Sequence, residues 1–82
     1  MITEKTANEI VYKLKELDEL KNNKSNLKKR TETYIRAYSS IAGFGFDVKK
    51  EIIIKLLNRE IEQVNVRLNE LNILAAQEVQ NA

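Results

Sequence analysis

Two long stretches of the chain repeat apolar residues at alternating spacings of three and four, the spacing of one face of a coiled-coil helix. The first repeat covers residues 10–41 with two lysine interruptions, and the second covers residues 54–75 without interruption. Proline, which would break either helix, is absent from the chain. The pattern therefore predicts helices over about residues 4–40 and 47–79. The seam positions are Ile10, Lys13, Leu17, Leu20, Lys24, Leu27, Thr31, Tyr34, Tyr38 and Ile41, then Ile54, Leu57, Ile61, Val64, Leu68, Leu71 and Ala75.

The segment between the two repeats contains the only two glycines and the only two phenylalanines of the chain. Glycine supports the positive φ that commonly ends a helix, and Asp47 suits the start of the next one. The segment therefore predicts a turn over residues 41–46. When the two seams are set antiparallel, Leu17 lies opposite Leu71 and Phe44 falls at the fold-back point.

Two details of the first helix stay open at the level of sequence. Thr3 and Thr6 are both candidates for the N-cap, and Thr6 forms a capping-box pattern with Glu9. The segment 21–26 is rich in asparagine and serine, which compete with the helix for backbone hydrogen bonds. One alternative is therefore a three-helix arrangement, roughly 4–21, 25–40 and 47–79. The seam keeps its phase across the segment, and this favours one continuous helix.

The second helix carries additional apolar residues on the side that faces away from its seam. A single two-helix hairpin would leave these side chains in water, and an exposed apolar stripe usually marks an interface. The sequence thus predicts an all-α fold: one domain over residues 1–82, an antiparallel, coiled-coil-like two-helix hairpin that dimerises into a four-helix bundle. The stripe consists of Ile52, Leu56, Val66 and Ile73.

The composition narrows the chemistry that the chain can perform. Cysteine and histidine are both absent, which excludes thiol chemistry, zinc sites built on these ligands and imidazole catalysis. The acidic residues show no pattern of a catalytic or metal site, so we expect neither an enzyme nor a cofactor. Charged residues are 32% of the chain, are interspersed along it, and sum to a net charge of +2. No apolar run is long enough to span a bilayer and no signal-peptide pattern begins the chain, which favours a cytoplasmic protein without membrane contact.

Two clusters are candidates for binding. Phe44 and Phe46 lie at the predicted tip, either as a recognition knob or as a cap over the end of the seam, and capping is favoured. A basic stretch without any acid lies in the first helix, opposite three asparagines spaced seven apart. It would suit phosphate groups, although a solvated helix face is the favoured reading. The basic residues are Lys21, Lys24, Lys28, Lys29 and Arg30, and the asparagines are Asn58, Asn65 and Asn72.

These features favour a non-enzymatic protein-interaction module that acts as a small adaptor, regulator or inhibitor and also binds itself. Its predicted interface consists of the tip phenylalanines and the apolar stripe. A nucleic-acid or nucleotide-phosphate binder that uses the basic stretch is the first alternative. A self-assembling structural or scaffold element is the second.

Overall fold

Two helices joined by a β-hairpin make up the chain, as its computed structural model shows for residues 1–39 and 43–81, with side chains described except at 37–39 and 44. The molecule measures 52 × 27 × 15 Å. The helices pack against each other, and the two strands pair antiparallel. In chain order the elements are α1 (Glu4–Lys28), β1 (Tyr34–Ser39), β2 (Phe44–Lys49) and α2 (Lys50–Gln80).

The core between the helices follows the predicted seam. Leu71 is the most enclosed side chain, with 1% of its surface exposed, and every helical seam position is buried or half-buried. Burying a leucine of this kind contributes roughly 1.5–3 kcal/mol relative to leaving it in water. The prediction of a two-helix hairpin is therefore confirmed. The buried residues of this core are Thr6, Leu27, Val64, Leu68, Leu71 and Ala75.

The first helix is shorter than predicted, and the all-α assignment is wrong for the connection. Helix α1 ends at Lys28 instead of residue 40, and residues 34–39 form a strand. Two tyrosines and one isoleucine lie among its six residues, and aromatic and β-branched residues prefer strands because their side chains lose χ1 freedom in a helix. The helical spacing of apolar residues continues through Tyr34 and Tyr38. The same segment also places Tyr34, Arg36 and Tyr38 on alternate positions, which is the spacing of one face of a strand.

The connection is a β-hairpin where a turn over residues 41–46 was predicted. Tyr34 pairs with Lys49 at one end, and Ser39 pairs with Phe44 at the other. Phe44 therefore lies within a strand and is not the fold-back point. Gly43 enters β2 with φ +74°, a conformation that only glycine adopts without strain.

The starts of both helices differ from the simplest reading of the sequence. Of the two N-cap candidates, Thr3 is the N-cap of α1, and Thr6 lies inside the helix. The Thr3 hydroxyl accepts from the Thr6 backbone N–H at 3.2 Å. Helix α2 begins at Lys50 with Lys49 as its N-cap, so the prediction of a start at Asp47 is wrong because Asp47 is a β2 residue. Helix α1 is continuous through residues 21–26, as expected, and the alternative helix over 25–40 does not form.

The register between the helices also differs from the prediction. With Leu17 opposite Leu71, Arg67 would face Lys21. Instead, the Arg67 guanidinium binds Glu9, three turns closer to the N-terminus. The hairpin shifts the pairing by a smaller step, because the numbers of its paired residues, such as Tyr34 and Lys49, sum to 83 where the predicted register had 88. At Ile61 the pairing stays close to the prediction, since Ser25 and Lys28, on either side of Leu27, line the same groove.

Lys50 fastens the hairpin to the helix pair. Its backbone N–H donates to the Thr33 carbonyl at 2.8 Å, and its ammonium donates to the Arg30 carbonyl at 2.7 Å. These two bonds satisfy carbonyl groups in the irregular segment that follows α1. They thereby hold residues 29–33 against the first turn of α2.

Candidate interaction surfaces

A polar clasp closes the end of the molecule where the chain termini meet, which we call the helical end. The Glu78 carboxylate accepts from the Thr3 backbone N–H at 3.1 Å and from the Thr6 hydroxyl at 2.9 Å. The Thr3 N–H bond, followed by the hydroxyl bonds, holds the pKa of the Glu78 carboxyl below its usual value. This carboxylate joins the first turn of α1 to the last turns of α2, and it is a structural contact.

An ion-pair cluster links the same two helices further along. Arg67 donates to both carboxylate oxygens of Glu9, at 2.6 and 2.9 Å, and to Glu70 at 3.1 Å. The bidentate bond from Arg67 lowers the pKa of the Glu9 carboxyl, and the same bond raises the pKa of the Arg67 guanidinium. Lys13 pairs with Glu16 at 3.2 Å nearby. Arg67 and Lys13 at the helical end are therefore paired with carboxylates of the same end.

Basic residues outnumber acidic residues at one end of the folded molecule, and acidic residues outnumber basic residues at the other. In the sequence alone, the charged residues are interspersed along the chain. Residues 21–59 contain ten basic and three acidic residues, a net charge of +7. The remaining residues contain four basic and nine acidic residues, a net charge of −5. Because the chain folds back within residues 21–59, all of the positive excess lies at the β-hairpin side of the molecule, which we call the hairpin end.

Three of the five predicted phosphate-binding residues meet at one groove, the basic groove. Lys21, Lys24 and Lys28 line it together with Ser25 and Ile61, and its volume is about 330 Å³. Among the described residues none of these three lysines forms an ion pair. The other two predicted residues, Lys29 and Arg30, follow the end of the helix, and Arg30 pairs with Glu32 at 3.1 Å.

The hairpin adds basic and aromatic side chains that sequence reasoning missed. Tyr34, Arg36 and Lys49 share one face of the two-stranded ribbon, because side chains alternate along a strand and Tyr34 pairs with Lys49. All three are exposed, and Arg36 lies 3.6 Å from Asp47. The signal in the sequence was the alternation in residues 34–39, which the overlapping heptad pattern obscured.

The predicted apolar stripe lies in solvent on the far side of α2. Its exposed fractions are 48% at Ile52, 53% at Leu56, and 55% at both Val66 and Ile73. At about 100° per residue, these four positions point away from the helix face of Leu68. The stripe therefore lies opposite the core.

The two phenylalanines predicted to lie at the tip, Phe44 and Phe46, are both β2 residues. Phe46 lies in β2 opposite Ala37 and is 45% exposed, so it does not cap the seam completely. The side chain of Phe44 lies outside the described residues, and only its strand backbone is placed.

The described part of the chain contains no cluster of side chains that could form a metal centre. Over residues 1–39 and 43–81, no group of three or more acidic side chains could hold a metal ion, and no helix is long and apolar enough to cross a membrane. The described grooves of about 250–330 Å³ are open to solvent. Comparison with protein-family models, curated proteins and solved structures finds no match for this chain.

Proposed function

We propose that the chain is a non-enzymatic protein-interaction module that pairs with a second copy through the apolar stripe of α2. The observation that carries the proposal is the half-exposed row Ile52, Leu56, Val66 and Ile73 on the side of α2 opposite the core. An apolar row along a helix is typical of a surface that packs on another helix. Pairing of two hairpins in this way yields a four-helix assembly.

Charge along α2 favours an antiparallel pair. The first third of the helix contains three basic residues and one acidic residue, whereas one basic and four acidic residues follow. The first group is Lys50, Glu51, Lys55 and Arg59, and the second is Glu60, Glu62, Arg67, Glu70 and Glu78. Side-by-side parallel copies would place like charges together. In the antiparallel pair, Ile52 packs on Ile73 of the partner subunit, and Lys55 lies near Glu70 of the partner subunit.

The available apolar area is adequate for a reversible dimer. Each stripe side chain is about half exposed, so full burial adds roughly 1 kcal/mol per residue at about 25 cal/mol per Å². Two-fold symmetry doubles the number of buried residues. Association costs at least about 4 kcal/mol of translational and rotational freedom, which offsets much of this gain, so we expect a weak, reversible dimer.

The mass in solution tests the pairing. We expect light scattering at several hundred micromolar protein to give a mass above the 9.5 kDa of one chain, rising with concentration toward twice that value. The variant Val66→Glu places a charge inside the stripe and should give the monomer mass. Val11→Glu is the matched control, because Val11 is 64% exposed but lies on α1, and it should remain a dimer. A monomeric wild type would overturn the proposal, and growth beyond the dimer would favour a self-assembling scaffold.

Engineered cysteines test the orientation, since the natural chain contains none. Ile52→Cys and Ile73→Cys chains are mixed and oxidised under mild conditions. The antiparallel arrangement predicts that the mixed disulfide dominates over either homodisulfide. Predominant linkage of Ile73→Cys to itself would contradict the antiparallel arrangement.

The paired module would act as an adaptor or regulator because its two hairpin ends lie at opposite ends of the antiparallel pair. The stripe occupies the back of α2, so the basic groove on α1 remains accessible. An antiparallel dimer can therefore present two copies of the hairpin end to other molecules.

A further inference from the structure

The geometry points to the hairpin end as a binding surface for the phosphate backbone of a nucleic acid. Its elements are the basic groove (Lys21, Lys24, Ser25, Lys28 and Ile61), the exposed ribbon face of Tyr34, Arg36 and Lys49, and Lys50 at the start of α2. The site exists within one copy of the chain and does not depend on the proposed dimer.

Two of these lysines are placed against the electrostatic preference of the helix. The N-terminus of a helix is its positive end and favours anions, yet α2 begins with Lys49 as N-cap and Lys50 as its first residue. Lys49 forms no side-chain capping bond, at a position where serine, threonine, asparagine or aspartate is preferred. The Lys50 N–H and ammonium already donate to the Thr33 and Arg30 carbonyls, but the positive end of the helix and the exposed Lys49 ammonium both attract an anion.

The basic groove extends the positive surface along α1. Lys21, Lys24 and Lys28 recur every three to four residues, which sets neighbouring side chains about 5–6 Å apart on one helix face. A regular series of cations suits a polymer that carries one phosphate per nucleotide. Lys28 also offsets the negative C-terminal end of α1, but that effect is confined to the last turn and does not account for Lys21.

Exposed aromatic and amide groups favour a nucleic acid over an acidic protein or a membrane. Tyr34 is 53% exposed beside Arg36 and Lys49, and proteins that bind single strands combine basic grooves with aromatic side chains on which bases stack. Asn58 and Asn65 are exposed on the turns of α2 before and after Ile61, where their amides can donate to phosphate oxygens. A membrane-surface helix needs a broad apolar face among its lysines, and the groove offers only Ile61.

Fluorescence anisotropy with a labelled 20-nucleotide single strand and with the matching duplex tests the inference. We expect binding whose affinity falls linearly with salt on logarithmic axes between 50 and 200 mM. Tighter binding of the single strand would support base stacking on the ribbon, and equal binding would support contact with phosphates alone. No binding to either nucleic acid at 50 mM salt overturns the inference.

A charge-matched pair of variants locates the site. Lys21→Gln with Lys28→Gln should weaken binding about tenfold at 50 mM salt and reduce the salt slope by about 2, since each lost phosphate contact reduces the slope by about 1. Lys5→Gln with Lys15→Gln removes the same two charges from exposed positions at the helical end and should change affinity less than twofold. Circular dichroism checks that both variants keep the helical content of the natural chain.

The remaining outcomes reject the inference in distinct ways. An equal loss in both double variants would show that only net charge matters. Tighter binding to polyglutamate or to vesicles containing phosphatidylserine than to either nucleic acid would assign the surface to a protein or a membrane. Because Val66→Glu lies outside the hairpin end, this monomeric variant should still bind DNA, which separates failure of this inference from failure of the dimer.

Discussion

The two ends of the molecule use charge in opposite ways. At the helical end, Arg67 binds Glu9 and Glu70, and the Glu78 carboxylate accepts bonds from Thr3 and Thr6. At the hairpin end, the lysines of the basic groove have no acidic partner among the described residues. The ion pairs of Arg67 and the bonds of Glu78 hold the two helices together, whereas Arg30 and Arg36 pair within the hairpin end and the three groove lysines stay available to a ligand.

The comparison also separates stability from binding. The buried residues lie between the helices and reach from Thr6 near the termini to Leu27 near the hairpin, so the helix pair supplies the core. The hairpin contributes two short strands, which are marginal in water unless they pack on other structure. We therefore expect substitutions in the helix core to unfold the chain and substitutions in the hairpin to act locally.

The largest effect is expected from the helix core. Leu71→Ala removes the most enclosed side chain and should lower the free energy of unfolding by about 2–5 kcal/mol. Leu14→Ala is the control, because Leu14 is 52% exposed, and it should change the free energy by less than about 0.5 kcal/mol. Urea denaturation followed by circular dichroism measures both values. Similar losses in the two variants would contradict the assignment of the core to the seam.

An intermediate and local effect is expected at the hairpin. Gly43→Val forces a β-branched residue into a positive φ and should cost about 1–2 kcal/mol. Gly43→Asn should cost less, because asparagine tolerates the left-handed region better. Amide exchange by NMR should show faster exchange in 34–39 and 44–49 for the valine variant, with the helix amides unchanged. Equal exchange in all three proteins would show that this glycine does not support the hairpin.

The smallest effect is expected from the carboxylates of the helical end. Glu9 and Glu78 both have lowered pKa values in the fold, so their stabilisation is present above the usual value of 4.5 and is lost as pH falls through the folded values. The natural chain should therefore have a lower Tm at pH 2 than at pH 7.

Glu78→Gln tests the origin of this pH dependence. The variant should have a lower Tm than the natural chain at pH 7, and this difference should shrink as the pH falls and the Glu78 carboxyl takes up a proton. Glu19→Gln should match the natural chain at both pH values, because no ion pair joins Glu19 to any residue in 1–39 or 43–81. A deficit of Glu78→Gln that persists at pH 2 would assign its effect to packing.

The amino-acid sequence determined the helix pair and the residues between the helices. Apolar side chains at a 3–4 spacing must share one face of a helix, and one face of two long helices is buried most easily against the other. The stripe of Ile52, Leu56, Val66 and Ile73 followed from the same geometry. These features depend on the spacing of apolar residues along the chain, which is the same whatever contacts the folded chain makes.

Only the tertiary structure decided the connection, the register and the distribution of charge. Residues 34–39 satisfied a helical spacing and a strand alternation together, and pairing with β2 selected the strand. That choice shortened α1, changed which turns of the helices meet, and brought Lys49 and Lys50 to the same end as the basic groove. Strand pairing and charge proximity depend on contacts between distant residues, so local spacing could not specify them.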